Sequence, residues 1–193
     1  MRFMLGVDEA GRGPLAGPVA VAVVAVPEGF DVAEEFPGVA DSKKLSAIKR
    51  EALFRMLQTH AAAGTARFCV EFESAVTIDT DGIAAAVERA VARAVQALAP
   101  DATAVRVQLD GALHAPRDYA QETIVRGDAT VPLISLASIA AKVTRDRLMN
   151  EFSKAYPLYS FEQHKGYGTK AHYAALRKHG LCALHRRSFI HLD

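Results

Sequence analysis

Hydrophobic residues either alternate with polar ones or form short uninterrupted runs in several segments of the chain, and such patterns predict β-strands. Alternation from Phe3 to Asp8 predicts a first strand that ends at an acidic residue. The apolar run from Val19 to Val26 predicts a second strand. Further strands are predicted at Arg67 to Glu73, at Val105 to Asp110 and around Thr123 to Val125.

Between these strands, apolar residues recur every three or four positions, which predicts helices. The predicted helices run from a Ser46 cap to about His60, from Ile83 to Leu98, from about Ser135 to Tyr156 and from about Thr169 to His179. The first of them should bury the residues Ile48, Leu53, Phe54 and Leu57. Strands interleaved with helices predict an α/β fold with a mixed β-sheet flanked by helices and a small helical C-terminal part.

Composition limits the possible classes of protein. A chain of 193 residues that is 50% hydrophobic predicts a single domain with a substantial core. Its longest apolar run, Leu15 to Val26, contains Pro18 and is shorter than the roughly 18 residues that span a bilayer. We therefore expect no membrane segment and a cytoplasmic protein. Cys69 and Cys182 form no CxxC pair, so both are expected to be packing thiols.

The net charge of +1 conceals an uneven distribution. Residues 142 to 193 carry ten Lys and Arg against four Asp and Glu, whereas residues 1 to 141 carry thirteen against eighteen. A polyanion bound by the basic part, with metal-binding acids in the other, would explain this asymmetry. An ordinary solvated C-terminus would explain it equally well.

Four acidic residues follow or end predicted strands: Asp8, Glu9, Asp110 and Asp128. Ligand sites of open α/β sheets gather at such strand ends. Four carboxylates in one place would repel one another, and two divalent cations would stabilise their ionised forms and provide a phosphoryl-transfer site. Glu9 can join Asp8 only if the chain turns there, because successive strand residues face opposite sides. Alternatively, a strand-end aspartate such as Asp128 caps a helix.

The turn after the first acids contains Gly11, Arg12 and Gly13, which suit a phosphate-bearing substrate. It loosely fits a dinucleotide-binding fingerprint, but the β-like run that follows offers no helix to complete one. The segments from Asp41 to Ser46 and from Gln163 to Lys170 combine cations with serine, glycine or tyrosine, as phosphate-binding or sugar-binding loops do. Both could instead be solvated loops before helices.

Taken together in order and spacing, eight segments resemble bacterial ribonuclease HII. They are GVDEAGRGPLAGP, DSKKLS, LDG, RGD, ISLASIAAKVTRDRLM, YP, HKGYGTK and HRRSF, and they cover nearly the whole chain. The resemblance implies a ribonuclease H-like catalytic domain over residues 1–193. Residues from about 157 to 193 would form a C-terminal substrate-binding helical extension. Only seven residues precede Asp8, which favours the HII type over the HIII type with its extra N-terminal domain.

The resemblance also implies an activity. The enzyme would cut the RNA strand of RNA-DNA hybrids and cut 5′ of single ribonucleotides in duplex DNA, leaving 3′-hydroxyl and 5′-phosphate ends. Asp8, Glu9, Asp110 and Asp128 would be the catalytic residues and would hold two Mg²⁺ or Mn²⁺ ions. No obligate protein partner is indicated, and we expect a monomer.

Residues for the substrate are implied in the same way. Gly11, Arg12 and Gly13 would recognise the 2′-hydroxyl, and Tyr167 would pack on the sugar of the following deoxynucleotide. Lys43, Ser138 and Lys142 would contact phosphates. Two rival functions stay open from the sequence: a non-catalytic hybrid-binding module, and a related polynucleotidyl transferase without 2′-hydroxyl specificity.

The chain departs from the family pattern at two positions. Gly82 stands where asparagine is common, and Ala183 stands where proline is usual. The corner from His185 to Phe189 should be packed, with Phe189 buried and the two arginines placed on acids.

Overall fold

A five-stranded mixed sheet forms the centre of the protein in a computed structural model that describes residues 2–191. The strand order is β3-β2-β1-β4-β5. Strand β2 is antiparallel to both β1 and β3, whereas β4 is parallel to both β1 and β5. The strands are β1 (Phe3–Ala10), β2 (Val19–Pro27), β3 (Arg67–Glu73), β4 (Val105–Asp110) and β5 (Ala120–Ile124). The predicted α/β class with a mixed sheet is confirmed.

Helices cover the sheet and extend beyond it. In chain order they are α1 (Val32–Glu35), α2 (Ala47–Ala62), α3 (Ala75–Asp81), α4 (Ile83–Leu98), α5 (Gly127–Thr130), α6 (Pro132–Ala155), α7 (Phe161–His164) and α8 (Lys170–His179). Short 3₁₀ turns occur at Ala102–Ala104, Pro157–Tyr159 and Arg187–Phe189. Ser46, Ser74 and Thr169 cap helices α2, α3 and α8 through their side-chain oxygens.

Two apolar layers enclose the sheet. Helix α4 packs on one face against alternate residues such as Leu5, Val7 and Val23. Helices α2 and α6 pack on the other face against Ala22 and Val24. Because β2 is buried on both faces, its sequence is an unbroken apolar run and not an alternating one. Among the helices of residues 2–191, none combines the length and the hydropathy of a membrane-spanning segment.

Helix α6 lies unusually close to strand β1. A Cβ atom added to Gly6 would lie 2.6 Å from the carbonyl oxygen of Leu133, so only glycine permits this approach. The contact brings the first turns of α6 beside the strand segment that carries Asp8. A third apolar cluster joins α6 to the C-terminal helices and to the loop before β2 through the residues Leu15, Ala16, Met149, Tyr159, Phe161 and Leu176.

Several predicted details differ from the structure. Strand β1 continues through both acids to Ala10 and does not end at Asp8. Ile48 is 82% exposed, because it lies on the opposite side of α2 from Leu53 and Leu57. Helix α3 was not predicted, and β5 begins three residues earlier than expected. Gly82 connects α3 to α4 with φ of 83°, a conformation in which glycine is favoured over asparagine or any other residue.

Candidate active site

Three of the predicted acids meet at one end of the sheet. Parallel pairing of β1 with β4 ends at Val7 and Leu109, so the next residues along the two strands, Asp8 and Asp110, become neighbours. Asp128 lies in α5, where its backbone N–H donates to Oδ1 of Asp110 at 3.1 Å. One carboxylate oxygen from each of the three residues lies within 4.8 Å of the others.

Burial makes it unfavourable for the carboxyl groups of this site to be ionised together. The side chain of Asp8 is almost fully buried, and burial together with the nearby charge of Glu9 raises the pKa of its carboxyl well above the usual range. Hydrogen bonds from Ser138 and from the N–H of Glu9 act in the opposite direction but do not outweigh burial. A buried carboxylate with like charges beside it needs either a proton or a cation.

The chemistry of these donors fits a hard divalent cation. All three are carboxylates, which Mg²⁺ and Mn²⁺ prefer to nitrogen or sulfur ligands. One cation already lies at the edge of the group: Nζ of Lys43 is 3.1 Å from Oδ2 of Asp128. The Lys43 side chain is 81% exposed, and its hydrogen bond to Asp128 raises its pKa. Lys43 therefore borders the acids without filling the space between them.

Glu9 is not a member of this group of three. Since β1 stays extended through Ala10, Glu9 faces the same side of the sheet as Val7, opposite to Asp8. Its Oε1 atom accepts a hydrogen bond from Nη1 of Arg12 at 3.0 Å. The turn that was expected to bring Glu9 to Asp8 begins only after Ala10.

The residues predicted to contact the substrate lie in two places, one beside Asp8 and one around Tyr167. Ser138 lies in α6 next to Asp8, and its hydroxyl is 2.8 Å from that of Ser42 in a buried pair. One turn further along the helix, Lys142 has its Nζ 5.9 Å from the ring centre of Tyr167. The Tyr167 side chain is 44% exposed and therefore accessible to a ligand. Lys142 also forms an ion pair with Asp146 at 2.8 Å.

Two buried arginines lie beside this region: Arg145, which the sequence analysis did not single out, and Arg186, which it placed in a packed corner. Arg145 and Arg186 are both 0% exposed. Their guanidinium groups donate to backbone carbonyl oxygens of the loop between β1 and β2. The expectation that the arginines of the corner at 185–189 bind acids is therefore wrong for Arg186. A signal was present for Arg145, since it lies four residues after Ala141 and four before Met149, on an otherwise apolar helix face.

Comparisons with known proteins point to one family. The family model described as ribonuclease HII matches residues 5–192. A ribonuclease HII of Burkholderia thailandensis is 50% identical over 187 residues, which cover 97% of this chain and 83% of that protein.

Solved structures share the fold. The complex of PCNA with ribonuclease HII from Archaeoglobus fulgidus matches with a TM-score of 0.77 at 23% identity, covering 99% of this chain and 96% of that one. Bst-RNase HIII in complex with Mn²⁺ matches with a TM-score of 0.66 at 20% identity, covering 97% of this chain and 67% of that one.

Proposed function

Because this chain belongs to the ribonuclease HII family and is an endoribonuclease, we propose that it hydrolyses the RNA strand of RNA-DNA hybrids and cuts 5′ of single ribonucleotides in duplex DNA. Water would attack the phosphorus on the 5′ side of the ribonucleotide. The bond to the 3′ oxygen of the preceding nucleotide would break, leaving a 3′-hydroxyl and a 5′-phosphate. The observation that carries this proposal is the convergence of Asp8, Asp110 and Asp128.

We propose that these three acids, with Glu9 as a fourth, hold two Mg²⁺ or Mn²⁺ ions. When bound, such ions activate water and stabilise the departing oxygen. The chain itself orients the ligands: Asp8 accepts from the N–H of Glu9 at 2.8 Å, and Asp110 accepts from the N–H of Asp128 at 3.1 Å. Both bonds restrict carboxylate rotation. To join the group, Glu9 would exchange its contact with Arg12 for the ions.

Residues beside the acids would bind the substrate backbone. Lys43 is largely exposed, so its ammonium group would reach a phosphate near the scissile bond. Ser138 and Lys142 lie on the same helix face and would add a hydroxyl and a second cation. Their predicted contacts with phosphates stay predictions.

Recognition of the ribose would come from the loop and from Tyr167. The 2′-hydroxyl distinguishes RNA from DNA, and a hydroxyl can accept from backbone N–H groups. Arg12 and Gly13 are exposed, so the backbone at these two positions is accessible to it, while Gly11 is buried beside them. The exposed ring of Tyr167 would pack on the next sugar and thereby sense an RNA-to-DNA junction.

The whole chain would act as one catalytic domain, with residues from about 157 to 193 as its substrate-binding extension. The third apolar cluster supports this arrangement, since it joins the C-terminal helices to the loop before β2. The partners would be RNA-DNA hybrids and ribonucleotide-containing duplex DNA. The Archaeoglobus relative was solved with PCNA, and we propose no obligate partner for the monomer here.

The decisive experiment compares a duplex containing one ribonucleotide with its all-deoxy twin, in Mg²⁺, Mn²⁺ or EDTA. We expect a single cut 5′ of the ribonucleotide with either metal and none in EDTA. Equal cleavage of both duplexes would indicate a polynucleotidyl transferase or nuclease without 2′-hydroxyl specificity. Binding without cleavage in either metal would indicate a non-catalytic module.

The role of Tyr167 needs its own comparison. We expect Tyr167→Ala to lower cutting at a single ribonucleotide several-fold more than cutting within a long hybrid, a loss of about 1 kcal/mol of stacking. Tyr173→Ala, a tyrosine in the neighbouring helix α8, serves as the control. Equal losses on the two substrates would refute the junction-sensing role.

A further inference from the structure

Arg145 and Arg186 bind the loop between β1 and β2 from its buried side. Arg186 donates to the carbonyl oxygens of Gly11, Arg12 and Gly17 at 2.7, 2.9 and 2.9 Å. Arg145 donates to those of Ala16, Pro18 and Lys165 at 3.2, 2.8 and 3.0 Å. Five carbonyl groups between Gly11 and Pro18 therefore point at two guanidinium groups.

Burying the charges of two arginines costs free energy, which something else in the protein must offset. Neither arginine forms an ion pair with a carboxylate in the part of the chain described, residues 2–191. Burial lowers the pKa of Arg186 to about 9, and the positive charge of Arg145 contributes to the shift. Burial lowers the pKa of Arg145 as well. Two like charges inside a protein that donate their hydrogen bonds to carbonyl groups, with Asp79 and Asp146 acting on them only without a direct ion pair, indicate that the loop geometry itself is needed.

The orientation of the carbonyls determines where the N–H groups point. In a planar trans peptide, the C=O of one residue and the N–H of the next point in opposite directions. Because Gly11 and Arg12 direct their carbonyls inward at Arg186, the N–H groups of Arg12 and Gly13 must face outward. Neither N–H donates a hydrogen bond within residues 2–191. Both are thus free to meet a hydroxyl oxygen.

Arg145 connects this loop to the sugar-packing side chain. Its guanidinium carbon is 5.9 Å from the ring centre of Tyr167, while the same group donates to the carbonyl of Lys165, two residues earlier. Gly11 packs directly against it: a Cβ atom there would lie 1.9 Å from Nε of Arg145, and its φ is 90°. The loop and Tyr167 are therefore held by one side chain.

We propose that Arg145 and Arg186 are positioning residues that determine specificity for the 2′-hydroxyl, because they hold the N–H groups of Arg12 and Gly13 outward and fix the loop relative to Tyr167. This inference rests on the proposed function. It assigns the arginines no contact with the substrate. Lysine could not replace either one, since a single ammonium group lacks the planar fork that binds three separated carbonyls.

The test uses Arg186→Lys and Arg145→Lys, which keep the charge and so avoid an empty buried site. Arg187→Lys and Arg147→Lys, at exposed arginines of the same segments, are the matched controls. Binding of the single-ribonucleotide duplex and of its all-deoxy twin is measured in EDTA, where no metal-dependent cleavage intervenes. Amide hydrogen exchange of the 11–18 segment is followed by mass spectrometry, with strand β3 as the internal reference.

We expect both variants to lose about tenfold in affinity for the ribonucleotide duplex, the effect of roughly one hydrogen bond, and to keep their affinity for the all-deoxy duplex. Exchange of the 11–18 segment should rise while that of β3 stays constant. Partial unfolding would instead lower both affinities equally, and that result would overturn the inference. If both variants still distinguish the ribonucleotide duplex from its all-deoxy twin as well as the unaltered protein does, the inference is also overturned, but the proposed function is not. The proposed function fails only if the unaltered protein neither distinguishes the two duplexes nor cuts the one with the ribonucleotide.

Discussion

The protein contains two buried groups of like charge, and they are neutralised in opposite ways. Asp8, Asp110 and Asp128 form a negative group whose oxygens approach within 4.8 Å. Arg145 and Arg186 form a positive pair that is fully satisfied by backbone carbonyls. Within residues 2–191 the acids have Lys43 as a partner at their edge but no partner sufficient for their charge, and so favour a cation from outside, whereas the arginines stabilise a loop from inside. Like charges therefore mark a ligand site only where the chain does not itself neutralise them.

The sharpest test of the negative group is Asp110→Asn. We expect cleavage to fall about 1000-fold or more, because one charge that would bind the proposed metal ions is removed. Stability should not fall, since asparagine Oδ1 can still accept from Asp128 and repulsion within the group is relieved. Steady-state cleavage and urea unfolding measure the two effects, with the exposed Asp118→Asn as control. A marked loss of stability without metal would show that the carboxylate is structural.

The positive pair should behave in the reverse manner. We expect Arg186→Met to lower the free energy of unfolding by about 3 kcal/mol, because three buried carbonyls lose their donors. Arg187→Met, at the exposed neighbouring residue, should have little effect. Urea titration provides the measurement. A more stable Arg186→Met protein would mean that the free-energy cost of burying this charge exceeds the stabilisation from the hydrogen bonds that Arg186 and Arg145 donate to six carbonyl groups. The contrast between the two groups would then disappear.

A third buried group, of histidines, extends the comparison to pH. Nδ1 of His185 accepts from the N–H of Cys182 at 2.9 Å, so its Nε2–H donates to Nε2 of His172 at 3.1 Å. Burial, then the proximity of His172, lowers the pKa of His185 to about 4. His164 stacks on His172, with Glu162 and Lys165 as the charged residues near it.

Protonation of His185 should therefore destabilise the folded protein. Its folded pKa is below the ordinary 6.5, so the unfolded chain binds the proton first. The contribution of neutral His185 to the free energy of unfolding is fully present above about pH 6.5. It falls as the pH approaches 4, by roughly 2 kcal/mol between pH 7 and pH 4.5. Urea unfolding of the unaltered protein and of His185→Gln isolates this contribution, with the exposed His114→Gln as control. Identical pH dependence in all three proteins would contradict it.

Binding of a metal ion should stabilise the folded state only slightly. A cation that binds the acid group should raise the free energy of unfolding by about 1 kcal/mol at a concentration roughly five times its Kd. Mg²⁺ or Mn²⁺ should thus raise the Tm of the unaltered protein by a few degrees and that of Asp110→Asn by less. NaCl at matched ionic strength controls for screening. Equal shifts in both proteins would place the cation elsewhere.

The sequence predicted the sheet and the long helices well, because buried strands and α4 carry strong periodic patterns. It failed where tertiary context overrides local pattern: Ile48 is apolar yet exposed, and β1 runs past its acids because β2 pairs with it as far as Ala10. The cytoplasmic location stays a prediction from the sequence.

The candidate site was predictable to a similar extent. The strand ends predicted at Asp8 and Asp110, together with the family motifs, indicated the acid group that the structure brings together, although β1 itself runs on to Ala10. The burial of Arg145 was not predicted, and the corner that contains Arg186 was predicted to be packed but with its arginines on acids. Arginine is ordinarily a surface residue, and no local pattern shows that distant carbonyls will surround it. Only the fold brings Arg186 to Gly11, 175 positions away in sequence.

Helix α6 fixes the distance between the acid group and Tyr167. Ser138 beside the acids and Arg145 beside Tyr167 are seven residues apart, about 10 Å along the axis of one continuous helix. A continuous helix of this length does not bend enough to change that distance by the spacing of one nucleotide. The distance between the cutting point and the sugar that is sensed would then be built into a single covalent element, and a residue inserted between positions 138 and 145 would shift which bond is cut.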